Sequence, residues 1–333
     1  MASMGLVFGR RWTASISAFV VLSLAAAAAA AASAQRSAPA RRIGFLGLDS
    51  KLQAPLLAGF RDEMRKQGYI EGDNLVIEYR YAEGQFERLP ALALELAAQN
   101  VEVIVTVAPA PVRAAQKATA TIPIVVITDV TDAMGFAVSL AHPVGNITGI
   151  AIQDSELSAK RLDLLRTVVP NMTRVAIMYV ASDAHALSAV EAAAKTLAIA
   201  TKVYEVREPN DISAAVVDAK AWGAQGLIQL ASPVFGLHRK ILLDSLAANR
   251  MPAACERRRH VEEGCLMTYS IDLGALFRRM ASVTAQILKG AKPSDVPIEQ
   301  AREFEFVVNL RTAKALGLTI PSAVQIQMTD AIK

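Results

Sequence analysis

The stretch "VIVTVAPAPVRAAQ", residues 103–116, runs through five β-branched residues, breaks at Ala108-Pro109-Ala110-Pro111, and only then takes up a helical pattern. An unbroken β-branched run of this length reads as a strand buried on both faces, the kind that parallel sheets require. Proline suits the first helical position because it has no N–H to leave unpaired there, which sets the helix start at Pro111. Between strand and helix lie only small residues, so backbone is left bare at the strand's carboxyl end. In open α/β sheets that edge is where ligands bind, since helix N-termini present unpaired N–H groups there.

Working outward, the same unit recurs. Upstream lie the strand "RRIGFLGL", a helix marked by Leu56, Leu57, Phe60 and Met64, the strand "NLVIEYRYA", and a helix over 88–99. Downstream comes the strand "IPIVVITD". Alternation of this kind demands a parallel sheet covered by helices. The order then restarts with "TRVAIMYV", a helix carrying Leu187, Val190, Ala194 and Leu197 on one face, "TKVYEVRE", a helix, "AQGLIQLA", a helix, and "MPAACE". Matching strands are about 125 to 132 residues apart, a fixed offset that marks an internal repeat of α/β lobes. After "LMTYSID" come a helix from Leu273 to Lys289, the strand-like "FEFVVNL" and a short helix "TAKALGL". That tail is too small for a third domain, and it is expected to cross back between the lobes, giving a helix to the first and a strand to the second.

The chain's 333 residues are 53% hydrophobic and 20% charged, enough apolar material for two cores. Its net charge of +4 gives no reason to expect nucleic acid as a partner. Arg10-Arg11, the apolar run from Trp12 to Ala32 and the Ala32-Ser33-Ala34 site before Gln35 are the parts of a secretory signal, so residues 1–34 are expected to be removed on export. Gln35 in place of cysteine excludes a lipid anchor at that site. Residues 35–150, with a helix over 273–290, form the expected first lobe; residues 151–270, with the segment 291–333, form the second. Cys255 and Cys265 could pair in an oxidising compartment, but the intervening "ERRRHVEEG" reads as a short helix that holds them apart, and two separate core cysteines are the favoured expectation.

Candidate binding residues follow from the strand ends. The first lobe offers Asp49, Ser50, Ala108, Pro109, Ala110, Asp129 and Asp132; the second offers Tyr179, Ser182, Asp183, Ser232, Phe235 and Glu256; Tyr269 and Asp272 lie where the chain returns. Helix N-termini favour a carboxylate, aspartate an ammonium, and aromatic rings a flat or apolar body. Together these suit an amino acid or aromatic acid. For any single aspartate, capping a helix is the competing role. The phosphate-loop, zinc-protease, nucleophile-elbow and dinucleotide motifs are missing, and the four histidines show no metal-ligand spacing. No catalytic residue, cofactor or metal is expected.

The stretches "AGFRDEMRKQGYIEGDNLVIEYRYAEGQFERLPALALEL", "VSLAHPVGNITG", "SAKRLDLLRTVVP", "GCLMTYSIDLGALFRR" and "FEFVVNLRTAKALGLTIP" resemble a known family. The chain is similar to type I periplasmic substrate-binding proteins of ABC importers, in the branch described as tryptophan/tyrosine-type. The resemblance implies two Rossmann-like α/β lobes with parallel sheets, a multi-stranded hinge, a monomer that closes on a small-molecule ligand, a periplasmic location and an ABC permease as membrane partner. A ligand-sensing partner of a membrane receptor, or a secreted enzyme on the same fold, are the alternatives. Departures cluster at the strand ends. The family often has Gly-Thr-Pro-Ala at positions 108–111, Asp-Pro-Val over the 128–132 stretch, an aromatic at position 255 and Gly-Gly at 264–265.

Overall fold

In the computed structural model, residues 39–129, 137–181 and 186–333 are described, with the backbone alone at 137–139. The leader over 1–34, and Asp132, Ser182, Asp183 and His185, lie outside these residues. The first half runs β1 (Arg41–Gly47), α1 (Ser50–Lys66), β2 (Leu75–Tyr81), α2 (Leu89–Ala98), β3 (Val103–Val107), α3 (Pro109–Ala118), β4 (Ile124–Asp129), a hairpin of β5 (Ala137–Ser139) and β6 (His142–Pro143), and β7 (Ile147–Ile152). The second half runs α4 (Asp154–Val168), β8 (Arg174–Tyr179), α5 (Leu187–Thr196), β9 (Ala200–Glu205), α6 (Pro209–Ala221), β10 (Gly226–Gln229), α7 (Pro233–Leu237), α8 (Arg239–Ala248), β11 (Ala253–Ala254), α9 (Arg258–Glu262) and β12 (Met267–Ile271). The tail supplies α10 (Leu273–Leu288), β13 (Glu299–Gln300), β14 (Phe304–Asn309), α11 (Leu310–Leu316), α12 (Ser322–Gln327) and β15 (Asp330–Ile332).

The repeat is plain in the strand order. One sheet reads β13-β7-β4-β3-β1-β2 and the other β15-β14-β12-β11-β10-β8-β9, so each contains the doubly wound order second-first-third-fourth-fifth. Pairing within that repeated part is parallel throughout; in the two large sheets, among the described residues, only β14 against β12 is antiparallel. Helices cover both faces. Leu57, Phe60 and Met64 of α1 pack with Leu276, Phe277 and Met280 of α10 on one face of the first sheet, while Leu92, Leu96, Val112 and Ala115 cover the other. The second sheet is sandwiched in the same way, with Leu162, Leu165 and Val190 on one side and Ile212, Val216 and Leu242 on the other. β7 fits beside β4 because of one glycine: a Cβ at Gly149, where φ is +146°, would stand 2.0 Å from the Val126 carbonyl oxygen.

The chain passes between the lobes three times: from β7 to α4 at Gln153, from β12 to α10 at Asp272, and from β13 to β14 over 301–303. The tail thus gives α10 to the first lobe and β14 to the second. Glu299–Gln300, grouped with the second lobe by sequence, instead edges the first sheet beside Ile150 and Ala151.

Two local expectations are corrected. The helix after β3 begins at Pro109, not Pro111, because Ala108 already turns the chain at φ +78° and ψ 156°. Cys255 and Cys265 are joined in a disulfide, with Cα atoms 6.5 Å apart. The helix between them, α9, is only five residues long, and Gly264 at φ +131° returns the chain beside its start. Both cysteines therefore fall next to neighbouring strands β11 and β12.

Candidate functional site

The carboxyl ends of both sheets face one another across a cavity of about 440 Å³. Its first-lobe wall is mostly apolar: Leu52, Pro55 and Leu56 from α1, Val107 to Pro109 where β3 meets α3, and Ile127 and Ile152. Its floor comes from the crossing at Ile271–Gly274 and from Phe277. The lobes touch across the rim, where Leu52 lies 3.6 Å from the position of a Cβ on Gly236, and Leu237 lies 3.5 Å from that on Gly84.

Of the residues nominated by sequence, the structure brings Ala108, Pro109, Asp129, Ser232, Glu256 and Asp272 onto the cavity wall. Asp129, almost fully buried, accepts the Asp154 N–H at 3.1 Å across the first crossing. Ser232 caps α7 and gives its backbone N–H to Glu256 Oε2 at 3.0 Å. Asp272 caps α10 by accepting the Ala275 N–H at 3.0 Å.

The others stand elsewhere. Asp49 caps α1, accepting the Leu52 N–H at 2.9 Å, and neither it nor Ser50 or Ala110 lines the cavity. Tyr179 packs against the second-lobe core. Tyr269 stacks on Phe304 with ring centroids 6.0 Å apart, outside the cavity. Phe235, expected to offer its ring to a ligand, is instead fully buried in the second-lobe core, because α7 turns that side of its single turn inward.

The cation wall was not foreseen. Four arginines line the second-lobe side, and three are engaged: Arg239 with Glu263 at 2.6 Å, Arg259 with Glu263 at 3.1 Å, and Arg258 with Glu262, Glu305 and Asp330. Arg257 differs. Its nearest carboxylate is Glu256 at 3.9 Å, and its Nη1 is buried with no hydrogen-bond partner among the described residues. Across the cavity, Thr128 Oγ1 is likewise buried without a partner among them. Both ring nitrogens of His260, also on the wall, lack a partner among the described residues too. Buried polar atoms are nearly always satisfied in folded proteins, so a bound water or ligand would complete such a set.

Beneath this wall lies a buried polar chain. Arg161 of α4, fully buried, donates to Asp154 Oδ1 at 3.1 Å, to the Tyr269 carbonyl at 3.1 Å and to the Gln229 carbonyl at 3.2 Å. Gln229 Oε1 in turn accepts the Glu256 N–H at 3.1 Å. The chain thus ties Asp129 of the first lobe to Glu256 of the second. Burial, reinforced by Asp154, pushes the Glu256 carboxyl up to about 7. Burial and the nearby Arg239 push His260, also on the wall, down to about 4, so its ring is neutral. Among the described residues, no group of three histidine, cysteine, aspartate or glutamate side chains is placed to hold a metal ion.

Comparison with known proteins agrees with this architecture. The tyrosine-binding protein of Clostridioides difficile is 26% identical over 291 residues, covering 84% of this chain and 82% of that protein. The crystal structure of the ABC domain from Streptococcus pneumoniae in complex with L-Trp superposes with a TM-score of 0.81 at 22% identity, covering 88% of this chain and 100% of that one. A conserved domain protein from Vibrio cholerae gives the same TM-score of 0.81 at 22% identity, over 87% of this chain and 99% of that one. The two structural likenesses share the fold of this chain. The family model for the ABC transporter substrate binding protein matches residues 47–332, nearly all of the described chain, and the protein belongs to that family.

Proposed function

We propose that the protein is exported, captures an amino acid or aromatic acid between its lobes, and delivers it to the permease of an ABC importer. The observation that carries this reading is the guanidinium of Arg257, whose Nη1 has no hydrogen-bond partner among the described residues and whose nearest carboxylate stands 3.9 Å away, in a wall opposite an apolar one. A carboxylate is the natural partner for such a group, since a guanidinium presents paired donors in a planar fork. Leu52, Pro55, Leu56 and Ile127 offer room for an apolar body, and Asp129 and Glu256 offer acceptors for an ammonium. The relatives named for tyrosine and bound to L-Trp favour an aromatic side chain on that amino acid.

Contacts from both walls give closure its driving force, because a ligand shifts a conformational equilibrium only by its differential affinity for the two states. Export is supported by the leader over 1–34 and by the disulfide, which persists in oxidising compartments. Among the described residues no helix is long and apolar enough to cross a membrane. The protein acts as a monomer in this reading, and no chemical step is assigned to the cleft.

Thermal denaturation with L-Trp, L-Tyr, L-Phe and phenylacetate tests the proposal. At least one should raise the melting temperature with concentration, as a ligand of the native state must. Arg257→Ala should weaken that ligand about 10- to 100-fold, the range expected for a charge-assisted hydrogen bond. A panel without any shift, or an Arg257→Ala protein of unchanged affinity, would sink the reading.

A further inference from the structure

We propose that the Cys255–Cys265 disulfide is a positioning device for ligand capture, holding the loop between β11 and β12 so that Arg257 meets the ligand ready-placed. This rests on reading Arg257 as the ligand's carboxylate partner. Six of the residues between the two cysteines line the cavity: Glu256, Arg257, Arg258, Arg259, His260 and Glu262. The strand that launches them is slight. β11 has two residues and meets β12 through one pair, Ala254 with Met267.

The loop's two halves are held by different parts of the lobe. Its near half is tied towards β10, through Gln229 to the Glu256 N–H and through the Ser232 N–H to the Glu256 carboxylate. Its far half is tied to β14 and α11, through Asn309 to the Val261 carbonyl at 2.7 Å and Thr312 to the Gly264 carbonyl at 3.1 Å. Arg257 sits between these anchorages, held by a long ion pair to Glu256 at 3.9 Å and with no hydrogen-bond partner at Nη1 among the described residues. The disulfide joins the two halves covalently at their roots. A loop already ordered in the free protein spends less of its binding free energy on ordering, which is how pre-organisation raises affinity.

Removing the cross-link should therefore act on affinity through Arg257. In the wild-type background, Cys255→Ala/Cys265→Ala should weaken L-Trp or L-Tyr about tenfold by calorimetry, and in the Arg257→Ala background by less than about twofold, the signature of coupled groups. Equal losses in both backgrounds, or no loss in the first, would overturn the proposal. Amide hydrogen exchange of the ligand-free protein provides a readout independent of any ligand: exchange over 256–264 should quicken in the double variant while β8, β10 and α4 keep their protection. If wild type binds none of the panel, the functional reading fails and this proposal with it; if wild type binds but exchange over 256–264 is unchanged in the double variant, the positioning role alone is rejected. Should the double alanine variant fail to unfold cooperatively, Cys255→Val/Cys265→Ala, which restores buried volume, replaces it.

Discussion

Ala108 holds a backbone conformation that belongs to glycine. Its φ of +78° with ψ of 156° lies in a region L-residues occupy at a cost of about 1–3 kcal/mol. Ala108→Gly relieves that strain and adds back roughly 0.4–1 kcal/mol of unfolded-state entropy. The net expectation is a protein stabilised by about 1 kcal/mol in denaturant melts, and a destabilised Ala108→Gly would show that the turn is not strained. Sequence placed this turn at the ligand's door but not its φ, because alanine carries no sign of the left-handed region. Arg257 was hidden for a related reason: three consecutive arginines look alike until the fold gives Arg258 and Arg259 close carboxylates and leaves Arg257 only Glu256 at 3.9 Å.

Glu256 and His260 make the same wall sensitive to pH in opposing senses. Glu256 holds its proton more tightly folded than unfolded, so its contribution to stability is present below 4.5 and lost as pH rises through about 7. His260 is buried neutral, so its contribution is present above 6.5 and lost as pH falls through about 4. Over the overlapping window the two slopes offset one another. Glu256→Gln removes the falling one, and its stability relative to wild type should climb between those limits when unfolding is measured at a series of pH values. Parallel curves would mean that Glu256 titrates as it does in the unfolded chain.

At the scale of single elements, the strands were the legible part. Runs such as residues 103–106 are buried on both faces, so burial and β-branching coincide until Val107, where the strand meets the cavity. β11, with two alanines, was readable only because the repeat required a strand there. Helix faces were harder. In α7, five residues long, neither periodicity nor spacing says which side faces the cleft, and Phe235 turned out to be core. Phe235→Ala should consequently cost about 3–5 kcal/mol of stability, as large-to-small core changes do, and lower the midpoint of chemical unfolding. A variant that keeps its stability and loses only ligand affinity would put the ring back at the site. Tyr269 was misjudged by strand parity: it sits on the face of β12 that packs with Phe304 and Phe306.

For the whole molecule, three crossings on one side of the cleft leave the lobes one easy motion, opening at the opposite rim. There Gly236 meets Leu52, and Leu237 meets Gly84. An alanine at 236 would make ordinary contact, whereas Gly236→Leu places a branched side chain between α7 and α1. The variant should weaken the ligand and show a larger radius of gyration by small-angle scattering with ligand present, while its melting temperature without ligand stays near wild type. An unchanged radius and affinity would show that the rim does not need to shut. The doubled topology was visible in element order, and the tail's return, with a helix for the first lobe and a strand for the second, was expected from its small size; the placing of β13 at the edge of the first sheet was not, because two residues carry no pattern.

The second crossing also bears on how the protein is made. The first lobe takes its core residues Leu276, Phe277 and Met280 from α10, which follows every strand of the second lobe's repeated half. A chain emerging amino end first, from a ribosome or a translocation pore, has nothing to seal that apolar surface until almost 290 residues are out. Fragments cut near residue 150 should be sticky orphans, and the nascent protein is a natural client for whatever shields exposed hydrophobic surface along its route.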